Sequence, residues 1–140
     1  MRAIRSKNTA PELLIRKLLF SLGFRFRLHV KNLPGTPDIV LPKYRTAIFV
    51  HGCFWHGHDC HLFTLPQTRR DFWQVKIDAN RQRDLHSEDM LISAGWCVLS
   101  VWECALKGRL KQAPGGLADQ ITSLIRDHEP DGSRFEIRHR

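Results

Sequence analysis

PDIVLPKYRTAIFVHGCFWHGHDC, Pro37 to Cys60, contains the fold's centre and its chemistry in one run. Two short apolar stretches, Asp38 to Leu41 and Thr46 to Val50, are joined through Pro42 and Lys43 and read as buried strands. The next ten residues, His51 to Cys60, hold two cysteines, three histidines and two adjacent large aromatics. A turning chain can aim Cys53, His58 and Cys60 at one point, as a tetrahedral zinc ion requires. For the fourth ligand the remaining cysteines are Cys97 and Cys104, and Cys104 is the better choice. It lies just past an apolar run, Trp96 to Trp102, that would end as a strand near such a site. Three thiolates and one imidazole leave no position for water, so the site would be structural. The competing reading is a histidine-rich surface loop with reduced, unliganded cysteines. Clustering of both residue types in a non-secreted chain favours metal.

Working outward, Thr9-Ala-Pro-Glu12 has capping-box spacing with a proline in the first turn, and Gly23 can close the helix that follows, from about Ala10 to Leu22. Phe24, Phe26, Leu28 and Val30 alternate with Arg25, Arg27 and His29, which predicts a strand with one buried and one basic face. Asn32 to Pro37 is a turn cluster. Between Thr68 and Ala94, Phe72, Val75, Ala79, Leu85 and Ile92 recur at helical spacing, predicting one or two helices ended by Gly95. Trp96 to Trp102 returns as a strand with both tryptophans in the core. Pro114-Gly-Gly precedes a last amphipathic helix, Leu117 to Arg126, and the polar residues 127–140 predict a loose tail. Helix, three strands, helix, strand, helix is an α/β layout in which the first strands form a meander and the last crosses over beside them.

A length of 140 residues implies one domain, 1–140, with a real core. The net charge of +8 and a pI near 9.9 favour a polyanionic partner, nucleic acid ahead of a membrane surface. No signal peptide or membrane-spanning stretch is expected, and reduced thiols beside histidines fit the cytoplasm.

Pro37-Asp38 starts one strand and Val50-His51 ends the next, so the Asp38 carboxylate and the Val50 carbonyl could converge on an oxygen-coordinated Mg²⁺. A turn aspartate after proline is the simpler alternative for Asp38. His56 is not needed by a four-ligand zinc site, sits between ligands and is a candidate general base. Phe54 and Trp55, adjacent flat side chains flanked by a ligand and a histidine on a polar loop, suit stacking better than burial in the core.

LPGTPDIVLPKYRTAIFVHGCFWHGHDCHLF (33–63), the FW within RRDFWQVKI (69–77) and GWCVLSVWECALKGR (95–109) resemble the very short patch repair (Vsr) DNA mismatch endonucleases, the similarity running from Met1 to about Arg109. The resemblance implies a restriction-endonuclease-like fold, a central mixed β-sheet flanked by helices, with structural Zn²⁺. It also implies Mg²⁺-dependent nicking of one strand 5′ of the thymine in T:G mismatches, which arise when 5-methylcytosine deaminates. By the same implication Asp38 and the Val50 carbonyl bind Mg²⁺ and His56 activates water, while His51, Glu12 and Asp84 orient metal-bound waters or the histidine. Cys53, His58, Cys60 and Cys104 bind zinc. Trp73 joins Phe54 and Trp55 as a wedge, and Met1 contacts the mismatch. Residues 1–9 read as the remnant of a DNA-contacting arm that family members carry. Implied partners are double-stranded DNA and MutL-type mismatch-repair proteins, in the bacterial cytoplasm; one nick needs one active site, so a monomer is expected. Two readings compete: a zinc-stabilised DNA-binding module without catalysis, which has no use for Asp38 and His56, and a nickase of ordinary duplex, which has no use for the wedges.

Overall fold

The computed structural model describes residues 8–127 and 132–140. Helix α1, Ala10–Ser21, starts as its sequence predicts: Thr9 is extended and its hydroxyl accepts the Glu12 N–H at 3.4 Å, with Pro11 in the first turn. Just past the helix, Gly23 has φ +87°, a backbone region that glycine enters without Cβ strain. Ile15 and Leu19, one turn apart, are the apolar residues α1 buries.

Strands β1 (Arg27–Leu28), β2 (Ile39–Leu41), β3 (Thr46–His51), β4 (Cys97–Trp102) and β5 (Arg134–Ile137) form one sheet in that spatial order. The first three are antiparallel, with Val40 opposite Arg27 and Ile48 opposite Ile39; β3, β4 and β5 run parallel, with Leu99 opposite Ile48 and Phe135 opposite Leu99. The parallel pairs need crossovers. One runs through the loop 52–69 and helix α2, Arg70–Ser93; the other through α3, Glu103–Leu106, and α4, Pro114–Arg126.

Side-chain alternation along the central strands separates two cores. Ile39, Leu41, Ile48, Leu99, Val101 and Ile137 meet Ile15 and Leu19 of α1 and Leu117, Ile121 and Ile125 of α4. Ala47, Phe49 and Val98, on the opposite face, pack with Leu91 of α2. The result is a helix–sheet–helix sandwich. No described helix is long and apolar enough to cross a membrane.

Four expectations need correction. The strand predicted for Phe24 to Val30 pairs only at Arg27–Leu28, both exposed, and His29, with φ +47°, turns the chain directly after them. The apolar stripe read for α2 is mostly not its buried face: Phe72, Val75, Ala79 and Leu85 are exposed and only Ile92 packs, half-buried, against the core, while Ile77, Glu88 and Leu91 are buried. The inner face of this helix carries polar groups, Asp84 and Glu88 among them, because it walls a cleft at the edge of the sheet's second face. Helix α4 begins at Pro114, since proline fits the first turn and both glycines are accepted within it. Residues 134–137 are not a loose tail. Phe135 and Ile137 alternate with charged residues, and Ile137 is fully buried where β5 pairs with β4. A strand whose outer positions are all charged is easily taken for a polar tail. Residues 1–7 of the expected arm, Met1 among them, lie outside the described residues.

Candidate active site and metal centre

Strand parity puts His51 on the α2 side of the sheet with Ala47 and Phe49. It is buried, 5% exposed, with its ring stacked on Phe49 at 5.6 Å. Burial first, and then the nearness of His56 and His58, pushes its pKa well below the usual histidine range, so the ring is neutral at pH 7. Beyond His51 the chain coils tightly: His56 N–H donates to Gly52 C=O at 3.3 Å, His58 N–H to Cys53 C=O at 2.9 Å and Cys60 N–H to His58 C=O at 2.9 Å.

This coil gathers Cys53, His58 and Cys60, and β4 delivers Cys104 at the start of α3; all four donor atoms lie within 4.8 Å of one another. A tetrahedral Zn²⁺ with Zn–S bonds of about 2.3 Å needs sulfurs about 3.8 Å apart, so the cluster fits the ion with little closure. Burial pushes the Cys53 and Cys104 thiols above their ordinary range, so ionised sulfurs there call for a cation's charge. The Cys104 N–H donates to Cys53 Sγ and the His139 N–H to Cys104 Sγ, each at 3.3 Å. Cys97, the other candidate for fourth ligand, is buried at the far end of β4 and is not in the cluster.

Beside the cluster a cleft of about 440 Å³ is lined by His29, Asp38, Val50, His51, His56 and Asp84, among others. Asp38 Oδ2 accepts the Val50 N–H at 2.8 Å, so the two residues expected to share a cation are in contact through the amide. The Asp38 carboxyl is pushed up to about 6 by burial, with Glu12's charge adding to it; the Val50 hydrogen bond, His29 and His56 pull the other way. A carboxylate desolvated to this degree is one that a bound cation stabilises. Opposite it, His56 Nδ1 is hydrogen-bonded to Asp84 Oδ2 from α2, and the His51 ring lies 4.2 Å from that of His56. With Nδ1–H donated to Asp84, Nε2 keeps a lone pair that can accept a proton.

Glu12 is 2% exposed and its oxygens are occupied: Oε1 accepts the Asn8 N–H at 3.2 Å, while Oε2 receives Arg16 and pairs with His29 Nε2 at 2.9 Å. His29 is the residue that sequence reasoning missed. Its ring bonds Glu12 and lies beside Asp38, the three donor groups being mutually within 4.8 Å, and its backbone N–H donates to the Asp38 carbonyl at 3.1 Å. Period-two alternation reduced His29 to one member of a basic face, and nothing local marks it further.

Phe54, Trp55 and Trp73 form a triangle with ring centroids 5.2 to 5.6 Å apart, each half-buried, outside both cores. Phe72 is exposed under the Arg69 guanidinium, 4.3 Å away. Trp96 and Trp102 are half-buried and not fully core: Arg45 covers Trp96 at 4.8 Å, and Trp102 stacks on His58 at 3.9 Å and 9°.

A profile of the family described as DNA mismatch endonuclease Vsr matches residues 1–62. The chain is 58% identical over 106 residues to the Type II nicking enzyme V.XorIIP of Xanthomonas oryzae pv. oryzae, covering 76% of this chain and 78% of that one. It is 46% identical over 125 residues to the DNA mismatch endonuclease Vsr of Escherichia coli, covering 89% and 80%, and 50% identical over 109 residues to the Type II nicking enzyme V.NmeAIP of Neisseria meningitidis, covering 78% of each.

Proposed function

The chain belongs to the Vsr family and is a nicking endodeoxyribonuclease, and from that premise we propose that it is a Mg²⁺-dependent mismatch endonuclease that cuts one strand 5′ of the thymine in a T:G pair. The observation that supports this most is the convergence of Asp38, His51 and the His56–Asp84 pair in one cleft, His56 lying on the loop that also carries Phe54 and Trp55. The five-stranded mixed sheet between helix layers supports a restriction-endonuclease-like core.

In this reading Asp38 and the Val50 carbonyl hold the cation, which when bound would neutralise the scissile phosphate and the leaving 3′ oxygen. His56 orients a water and takes its proton at Nε2, while Asp84 fixes the ring's tautomer and stabilises the imidazolium that results. His51, buried and neutral, packs against His56 and limits its tilt. A T:G pair stacks less well than a matched pair, so the Phe54–Trp55–Trp73 group can enter beside it at lower unstacking cost than beside a matched pair. The basic surface supplies the sequence-independent attraction to the duplex.

Asp38→Ala and His56→Ala test the assignment. Each should abolish nicking while mismatched-duplex binding, followed by gel shift, stays within a few fold of wild type. Loss of binding in step with nicking would count against it.

A further inference from the structure

We propose that Glu136, on β5, is the outer carboxylate that orients the zinc ligand His58, and that Arg138 holds it in place, so that the last strand completes the metal centre. The inference rests on reading Cys53, His58, Cys60 and Cys104 as a zinc site. His58 Nδ1 faces Cys104 Sγ at 3.6 Å, which makes Nδ1 the ligating atom. Trp102, stacked on the ring, fixes its plane. The other nitrogen, Nε2, is buried and has no hydrogen-bond partner among the described residues, the whole residue being only 6% exposed. A metal-bound imidazole keeps its proton on the non-ligating nitrogen and needs an acceptor there, commonly a carboxylate.

Two carboxylates stand 3.8 Å from Nε2, those of Glu136 and Asp59. Asp59 is already engaged. Arg138 Nη1 binds its carboxylate at 3.0 Å and Nη2 binds its backbone carbonyl at 2.9 Å. Glu136 is held more loosely, 3.5 Å from Arg138 Nη1, and as a long, half-exposed side chain it can close the remaining distance of about 0.9 Å to a normal N–H···O bond by small torsional adjustments.

Charge supports the arrangement. Three thiolates around Zn²⁺ leave a net −1, which would repel Glu136 and Asp59; the Arg138 guanidinium, 3.0 Å from Asp59 and 3.5 Å from Glu136, offsets part of that charge. The same strand end is tied to the cluster by the His139 N–H on Cys104 Sγ, and Gln112 Nε2 holds it from outside by donating to the Arg138 carbonyl at 2.6 Å.

The test is zinc affinity of the full chain by competition with a chromophoric chelator, for wild type, Glu136→Ala, Glu136→Gln and Arg138→Ala. Losing such a partner typically weakens metal binding about 10- to 100-fold, and that is the loss expected for Glu136→Ala. Glu136→Gln, which keeps a neutral acceptor, should fall between, and Arg138→Ala should show a smaller loss. Substituted with Co²⁺, Glu136→Ala should also shift the visible d–d bands, because the ring's donation to the metal changes. Zinc affinity of Glu136→Ala within twofold of wild type would overturn the proposal, as would lower melting at saturating zinc with unchanged affinity. A wild-type chain that retains no zinc would sink the underlying metal site, a different and separately visible failure.

Discussion

Replacing Gly35 with alanine should damage stability and cutting together. Gly35 lies in the turn that leads to Asp38, with φ +76°, and a Cβ built there would sit 2.8 Å from Ser87 Cβ, 3.0 Å from Ser87 Oγ and 3.2 Å from a Phe49 ring carbon. Alanine in left-handed backbone costs about 1 kcal/mol. The clash is with a helix residue one turn beyond Asp84 and with a core ring, neither able to swing aside, so overpacking adds roughly 1–3 kcal/mol. The total is roughly 2–4 kcal/mol, or on the order of 1–2 M in the urea midpoint. Relief of the clash would push the Asp38 turn away from α2 and its Asp84. A displacement of about 1 Å between catalytic groups can cost about 100-fold, so nicking by the folded variant should fall 10- to 100-fold. The double variant Gly35→Ala/Ser87→Gly separates the terms. Ser87→Gly alone should cost about 0.5 kcal/mol of helix propensity, and in the cycle it should recover most of the overpacking but none of the backbone strain. An additive cycle, or a Gly35→Ala chain as stable and active as wild type, would refute the close approach of the Asp38 turn to α2.

Phe54→Ala should weaken T:G duplex binding more than matched-duplex binding in parallel titrations; an equal loss would make the aromatic triangle ordinary packing. Asp38→Asn should stabilise the protein without added Mg²⁺. The Asp38 carboxyl is raised to about 6, so its share of stability is fully present below its unfolded pKa and is lost as pH rises through the folded one. The variant's advantage should be near zero at pH 4 and grow to roughly 3 kcal/mol by pH 7, read from urea midpoints; a constant offset across that range would contradict the burial. His29→Ala should lower stability by roughly 1–3 kcal/mol through loss of a donor to buried Glu12, with His29→Gln recovering most of it by keeping a donor. Equal losses in both variants would show that the Glu12 contact is incidental.

What could be read from the chain was whatever local chemistry determines. Thr9, Pro11 and Gly23 bound α1 through backbone capping, and the Pro37 to Cys60 run holds two strands and three of the four clustered cysteine and histidine donors because a turn alone can gather them. Pairing over long separations was harder to read. Glu12, His29 and Asp38 meet only when α1, β1 and β2 are assembled, and the arrangement depends on one positive φ at His29. The inner face of α2 misled the periodicity argument for a physical reason. Asp84 lines the cleft and Glu88 bonds Arg134 of β5, so the buried stripe is polar where a core helix would be apolar. Strand β5 was hidden likewise, its Arg134 paired with Glu88 and Asp89 of α2 and its Glu136 set 3.8 Å from His58 in the Cys53–Cys60 loop.

The decisive experiment is nicking of a labelled duplex carrying one T:G mismatch in a CTWGG-type context, beside its matched control, with Mg²⁺ or with the divalent ion withheld. A nick 5′ of the mismatched thymine, seen only with Mg²⁺ and absent from the matched duplex, is the expected result. Equal cutting of both duplexes, or cutting without a divalent ion, would contradict the mechanism built on Asp38, His56 and the aromatic triangle.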